Sequence, residues 1–254
     1  MSVVSLGIMG LYLADLHLKA VYMRELKISA ENVRENVEAF IERKKDLVNR
    51  IAEGHEFHDY TGTSPDHILL EYLGIYHSDF PVISYINREG FEEVKIIHDE
   101  SSRDLNDYGG SEFFQKFFWS PNELIIERLW SLNLNASVIS ISTAKHIDDK
   151  FVGILRVEIP AGMLSEYIKK YKVGKSGFVS LIDEGGYVVA SSQKEFNSEN
   201  RSVPWQMISG LNSLEQDYSR GTLLGIDSLY AYTFYKQMGW TVLVALPYSE
   251  IRLI

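Results

Sequence analysis

Phe178-Val-Ser-Leu-Ile-Asp-Glu-Gly-Gly186-Tyr187 lies over Val82-Ile-Ser-Tyr-Ile-Asn-Arg-Glu-Gly90-Phe91 without a gap, and the reading of this pair decides the fold. Each stretch is a strand, a tight turn and a second strand. Ser84 and Ser180, Ile86 and Ile182, and Gly90 and Gly186 coincide, and Asn87 matches Asp183 at the entry to the turn. Asn and Asp favour that position because their side chains bond their own backbone, and Gly supplies positive φ. The match continues in order. Phe151-Val-Gly-Ile-Leu-Arg-Val-Glu-Ile-Pro160 lies over Met238-Gly-Trp-Thr-Val-Leu-Val-Ala-Leu-Pro247, and both are apolar strands ending at a proline before a helical start. Another strand precedes each, Ser137 to Lys145 and Ser228 to Gln237. Matched segments in one order indicate duplicated modules, so the expected fold class is α+β with two antiparallel-sheet modules. The first is expected over residues 61–162 and the second over 163–254, joined by a helix from Ala161 to Lys172.

Residues 1–60 read as a long N-terminal helix. From Leu11 to Glu53 no Pro or Gly intervenes, and Met23, Leu26, Ala30, Val33, Val37, Phe40, Lys44, Leu47 and Ile51 recur at three- and four-residue steps. Arg34, Glu35, Glu38, Glu42, Arg43, Lys45 and Asp46 flank this seam, and Gly54 is placed to cap the helix. At 1.5 Å per residue the helix is about 60 Å long, too long for one packing partner. The stripe can lie on the chain's own sheets, or part of it can pair with a second copy in a homodimer; the two can coexist.

Composition narrows the partners. The chain has 254 residues, 45% hydrophobic and 24% charged, with 18 Gly and 6 Pro, which excludes disordered and collagen-like classes. Thirty-five acidic against 25 basic residues give a net charge of −10, the wrong sign for phosphate-driven nucleic-acid binding. With no cysteine there is no disulfide frame, thiolate nucleophile or cysteine metal site.

No catalytic constellation stands out, and neither a metal nor another cofactor is expected. Gly174-Lys175-Ser176 has the tail of a phosphate-binding loop, but the pattern requires glycine where Lys169 stands, and a hairpin rather than a helix follows. Its amides are therefore not expected to converge on a phosphate. His55 and His58 have helical metal-ligand spacing, yet only the more distant His67 and His77 could complete a set, and solvated loop histidines are the simpler reading. Glu92-Glu93, Asp148-Asp149 and Asp183-Glu184 sit at strand edges or turns, where charge is normally solvated.

The long helix, the first module's closing Val152-Gly-Ile-Leu-Arg-Val-Glu-Ile-Pro160, the run Gly174-Lys-Ser-Gly-Phe-Val-Ser-Leu-Ile-Asp-Glu-Gly-Gly-Tyr-Val-Val-Ala-Ser191 and the final Gly239-Trp-Thr-Val-Leu-Val-Ala-Leu-Pro247 occur in a familiar order. With them, Arg103-Asp-Leu-Asn to Ser111-Glu-Phe-Phe-Gln115 matches a loop and helix that cover a first pocket. Over nearly its whole length the chain resembles a double Cache, tandem PAS-like, extracytoplasmic sensor domain. The resemblance implies a small-molecule ligand in the first, membrane-distal module and transmembrane helices on both sides. It also implies a cytoplasmic output such as a histidine kinase, chemoreceptor or diguanylate cyclase. Val3 to Ala14, too short to span a bilayer alone, would then be the end of the first membrane helix, and Pro247 to Ile254 would lead to the second.

Strand alternation selects pocket candidates in the first module. Arg128 and Trp130 share a face, an arrangement suited to a carboxylate or a planar charged group. Ser140 and Ser142 share a face of the next strand, leaving room and polarity, and Tyr85, Tyr108 and Trp119 are placed to complete the lining. The tryptophans can equally be core or rim, and Arg128 can pair on a sheet edge. One departure from the family bears on the ligand. Amino-acid-sensing relatives carry an Arg-x-Trp-Tyr element, and Phe113-Phe-Gln-Lys-Phe-Phe-Trp119 lacks that arginine, leaving Lys116 or Arg128 to serve a carboxylate. Three readings follow: a small-molecule sensor, a module that binds a periplasmic protein partner, and an enzyme with an unrecognised site.

Overall fold

The two hairpins read from the sequence fold alike down to individual hydrogen bonds. In the computed structural model, which describes residues 3–54, 66–119, 124–148, 150–197, 202–203 and 216–251, β1 (Val82–Asn87) pairs with β2 (Glu92–Ile97), and β7 (Phe178–Ile182) with β8 (Val188–Ser191). The register slips between Tyr85 and Ile86 in one and between Leu181 and Ile182 in the other, which are matching positions. Asn87 Oδ1 accepts the Phe91 amide at 3.0 Å and Asp183 Oδ1 the Tyr187 amide at 2.9 Å. Gly90 and Gly186 take φ of 95° and 87°, where a Cβ would be strained.

Contacts divide the chain into two units, residues 40–161 and residues 1–39 with 162–254. The first holds a six-stranded sheet of order β3-β2-β1-β6-β5-β4. Its other strands are β3 (Glu100–Ser101), β4 (Ile125–Ser131), β5 (Ala136–Ile147) and β6 (Lys150–Pro160). The second holds a five-stranded sheet of order β8-β7-β11-β10-β9, with β9 (Gln216–Leu223), β10 (Ile226–Tyr235) and β11 (Trp240–Pro247). Leaving out the short β3, the two orders are the same, so the duplication extends to the topology. The fold is α+β.

Helix α1 (Val3–Glu53) contributes its residues through Ala39 to one unit and the rest to the other. Its buried stripe is Leu26, Ala30, Val33, Val37, Ile41, Val48 and Ile51. Beyond Val37 it runs through Ile41 and Val48 rather than through the expected Phe40 and Leu47, which are half-buried. A straight helix turns 3.6 residues per turn and drifts off a 3.5-residue seam, so the stripe moves by one position. In the unit of residues 40–161, Lys145 Nζ donates to the carbonyl of Ala52, and Tyr72 Oη donates to that of Ile51 at 3.1 Å. Lys44 Nζ bonds the Asp79 carboxylate at 2.8 Å. In the other unit Thr233 donates to Glu31 at 3.0 Å and Tyr167 to the Asn36 carbonyl at 3.2 Å.

Three shorter helices complete the set described: α2 (Asp66–Gly74), α3 (Glu112–Trp119) and α4 (Ala161–Ile168). α4 ends before the expected Lys172. No helix among the described residues is long and apolar enough to cross a membrane.

Candidate ligand site on the six-stranded sheet

Residues directly opposite each other on neighbouring strands share a face, so the register assigns every side chain of the sheet. Lys95, Ser84, Arg156, Ser142 and Ile125 form one row across five strands, and Ile97, Val82, Glu158, Ser140 and Glu127 form the next. All of these lie on one face. The other face carries Tyr85 beside Leu155, Ile83 beside Val157 and Ile141, and Arg128 beside Ile139. Lys145, which reaches α1, is also on that other face, before the slip at His146.

The sequence-selected residues therefore divide. Ser140 and Ser142 sit on the charged face and are buried at 2% and 1% exposure. Tyr85, Arg128 and Trp130 lie on the opposite face. This corrects the expectation that they line one cavity with the serines, because strand parity on β4 fixes only which β4 residues go together. Tyr85 Oη donates to the Val152 carbonyl at 2.8 Å, and burial, then Glu93 and Glu89, pushes its phenol well above the ordinary value. Arg128 Nε donates to Ser137 Oγ at 3.3 Å, and Trp130 is exposed.

Tyr108 does join the charged face, its ring 5.4 Å from the Arg156 guanidinium carbon, with Phe113 at 4.8 Å. Phe113 is held by α3, whose first turn is capped by Ser111: its Oγ accepts the Phe114 amide at 3.1 Å. Phe114 and Phe117 are buried with Ile86 and Ile154. Trp119 lies two residues past Phe117, on the opposite side of the helix, and is 85% exposed. That position corrects its place in a lining.

The electrostatics of this face are unusual for a sheet interior. Lys95, Glu92, Arg156 and Glu158 are all buried. Lys95 Nζ is satisfied by Glu92 Oε2 at 2.8 Å and by the Asp104 carbonyl. Glu92 Oε2 also accepts the Asn106 amide at 2.8 Å and its Nδ2 at 3.0 Å. Glu158 Oε2 accepts the Ser131 hydroxyl. Arg156 has no comparable partner: its Nη2 lies 3.7 Å from Glu158 Oε1, beyond hydrogen-bond length. Among the described residues, Arg156 Nε and Ser142 Oγ are buried with no hydrogen-bond acceptor or donor. Burial pushes the Tyr108 phenol above its ordinary value, and Arg156 opposes the shift.

The duplicate serves as an internal control. On the five-stranded sheet, Ser180, Leu243 and Tyr232 form the row corresponding to Ser84, Arg156 and Ser142. Phe178, Ala245 and Tyr230 correspond to Val82, Glu158 and Ser140. That face is an apolar core closed by Phe196 and Val203. Lys95 corresponds to Ser191, whose hydroxyl meets Ser180 Oγ at 2.9 Å. The sequence reading passed over Arg156, Glu158 and Lys95, although the aligned Arg-Val-Glu against Leu-Val-Ala carried the signal: charges at alternate positions of a buried strand.

Other candidates resolve differently. A groove of about 940 Å³, lined by Leu16, Lys19, Met23, Lys27, Ile28 and Tyr218, shares no residue with the buried charges, and its aliphatic lip is exposed. Its lining also includes Arg24, Glu31 and Asn32, but none of the described lining residues carries an unmet buried polar group, so the charged face is the stronger site. The Lys175 and Ser176 amides are taken by the chain's own Glu250, whose carboxylate accepts Lys175 N at 2.9 Å, Ser176 N at 2.5 Å and the Ser176 hydroxyl. His55 and His58 lie outside the described residues, as does the side chain of His67, while His77 Nδ1 meets the Gly74 carbonyl at 2.8 Å.

Comparison with known proteins agrees with the duplicated fold. The double Cache family model, described as a Cache domain, matches residues 16–253. The chain belongs to this family of sensor domains, which is not a catalytic family. The ligand-binding domain of the Campylobacter jejuni chemoreceptor Tlp3, in complex with 4-methylisoleucine, superposes with a TM-score of 0.72 at 16% identity over 93% of this chain and 95% of that one. The extracellular domain of rpHK1S-Z16, described as a histidine kinase, gives 0.74 at 16% over 93% and 97%. The ligand-binding domain of Mlp24 with asparagine gives 0.66 at 17% over 93% and 96%. No curated protein matches the chain in sequence.

Proposed function

We propose that the chain is the extracytoplasmic input domain of a membrane receptor, a histidine kinase, chemoreceptor or diguanylate cyclase, and that a small molecule binds on the charged face of the six-stranded sheet. One observation carries this reading: of two sheets with the same topology, one closes the face with aromatic and aliphatic side chains, and the other buries Lys95, Arg156, Glu92 and Glu158 there. Burying charge costs several kcal/mol per ion, and such a cost is concentrated where a site needs it. Ser84, Ser140, Ser142, Arg156, Glu158 and the ring of Tyr108 are the residues we assign to the lining.

Binding there alters the loop and helix that carry Tyr108 and Phe113, and the change reaches the membrane as a shift of α1 and of the segment after Pro247, where transmembrane helices flank the domain. A ligand shifts such an equilibrium only by its differential affinity for the two states, about 1.4 kcal/mol per tenfold preference. A homodimer along α1 fits the same scheme. Leu13, Leu16, Ala20 and Ile28 are exposed at helical spacing, outside the stripe buried within one chain. The alternative, a module that binds a periplasmic protein and no metabolite, uses the same architecture. Thermal unfolding across a metabolite library separates the two, because a ligand at 100 times its dissociation constant adds about 2.7 kcal/mol. A flat response across the library refutes the small-molecule reading.

A further inference from the structure

We infer that the ligand presents a singly charged carboxylate, seated on a row of donors formed by Ser84, Arg156 and Ser142. This rests on the small-molecule reading above and adds the chemistry of the group recognised. The row is built by the sheet itself: Arg156 on β6 stands directly opposite Ser84 on β1 and Ser142 on β5, all on one face. Directly opposed side chains have Cβ atoms about 4.5–5.5 Å apart, so the Arg156 stem rises from the sheet between two serines.

All three side chains are buried, at 3% for Ser84, 8% for Arg156 and 1% for Ser142. Arg156 Nε and Ser142 Oγ have no hydrogen-bond partner among the described residues. A buried donor left unmade costs about 1–3 kcal/mol, and this row holds unmet donors side by side. The rings of Tyr108 and Phe113 flank the guanidinium and hold it in place without using its N–H groups. A planar fork with an unmet Nε–H, rising from a row that also holds two hydroxyls, matches the two oxygens of a carboxylate.

Charge limits the guest to one negative unit. Lys95 is already paired with Glu92, so its cation is neutralised. Arg156 faces Glu158, whose Oε1 stands 3.7 Å from its Nη2, so the four buried charges already sum to zero. A phosphate or dicarboxylate would bring a second negative charge beside Glu158 with no free cation to offset it. A monocarboxylate takes the face to one negative unit, the smaller imbalance. The route differs from the Arg-x-Trp-Tyr element that this chain lacks, since the arginine here is on a central strand.

The test uses the whole 254-residue chain. Acetate, propionate, lactate, pyruvate, alanine and valine are each compared with the corresponding primary amide, with inorganic phosphate alongside, first by thermal shift and then by calorimetry. At least one acid raises the melting temperature while its amide and phosphate do not, and Arg156→Gln weakens that acid about 10- to 100-fold, the value of a charged hydrogen bond. Where Arg156→Gln fails to fold, the Ser84→Ala, Ser142→Ala pair takes its place and must weaken the acid by about 5-fold or more. If acid and amide bind equally, or the variants keep full affinity, the carboxylate assignment is overturned. If the acids are silent but nucleosides, sugars or polyamines stabilise the chain, the assignment falls and the small-molecule reading stands. If nothing stabilises it, both fall.

Discussion

Replacing Arg156 with Met and Glu158 with Leu together should make the unliganded protein more stable and insensitive to its ligand. The geometry sets the magnitude. The pair is buried and its members are 3.7 Å apart, so the Coulomb attraction is realised without a hydrogen bond to anchor it. Removing one partner leaves the other charge stranded, about 3–5 kcal/mol for a buried pair, with the lower end expected here because the contact is long. Removing both relieves both desolvation penalties, and hydrophobic replacement of buried pairs gains about 1–4 kcal/mol. The Ser131 hydroxyl loses its acceptor on Glu158, which returns about 1 kcal/mol. The Met thioether recovers contact with the Tyr108 and Phe113 rings in place of the guanidinium. The net gain is about 2 kcal/mol, or a melting temperature raised by about 4–8 °C. Urea and thermal unfolding of wild type, both single variants and the double variant give the cycle. A double variant less stable than wild type would refute the reasoning, since the charges would then be supporting the fold.

Gly153→Ala should destabilise the six-stranded sheet by about 1–3 kcal/mol, because the new Cβ would meet the Ile86 carbonyl at 2.4 Å and the Tyr85 ring at 2.6 Å; thermal unfolding reads the loss. Tyr85→Phe should cost about 1 kcal/mol through the bond to Val152 and leave ligand affinity unchanged, as its face is not the charged one; calorimetry with the responding probe checks this. Burial raises the Glu250 carboxyl, but the Ser176 hydroxyl and the Lys175 and Ser176 amides outweigh it and hold the group below its ordinary value. Its native form therefore binds a proton less readily than the unfolded chain does. The contribution is complete above the unfolded value of about 4.3 and is lost as the pH falls through the depressed one. Glu250→Gln should lower stability at neutral pH, and the gap from wild type should close in acid, as unfolding curves across that range will show.

The duplication was legible because its signals are local. Asn87 and Gly90, like Asp183 and Gly186, specify their turns within a few residues, and the same backbone bonds form in both hairpins. The α1 stripe was legible in type but drifted by one position after Val37, since a seam counted at 3.5 residues cannot follow a straight helix. The site was only half legible. Ser140, Ser142 and Tyr108 fall on the charged face that we propose as the site, but placing Arg128 relative to the serines required the β4 to β5 register, in which Arg128 lies opposite Ile139. No single-strand pattern contains that information. Trp119 failed for the same kind of reason: its side of α3 is set by which phenylalanines meet Ile86 and Ile154. The partner of the Gly174 lead-in, Glu250, lies far along the chain, so no local pattern carried it.

The same comparison explains how one fold can divide its labour. Both sheets must cover the face of their central strand, and the five-stranded one does so permanently, with Phe196, Tyr230 and Tyr232 packed on Leu243 and Ala245. Among the described residues that face has no unmet buried polar group for a guest to satisfy. The six-stranded sheet covers Arg156 with Tyr108 and Phe113, which sit on the loop and on α3. A cation–π contact of about 0.5–2 kcal/mol is weaker than the charge-assisted bonds a carboxylate would make to the same guanidinium. The rings take only the face of the guanidinium, so on the reading proposed above a guest bonded to its N–H edge would meet the same rings and the segment that carries them. In the duplicate, where leucine stands in place of arginine, there is no equivalent cation to share.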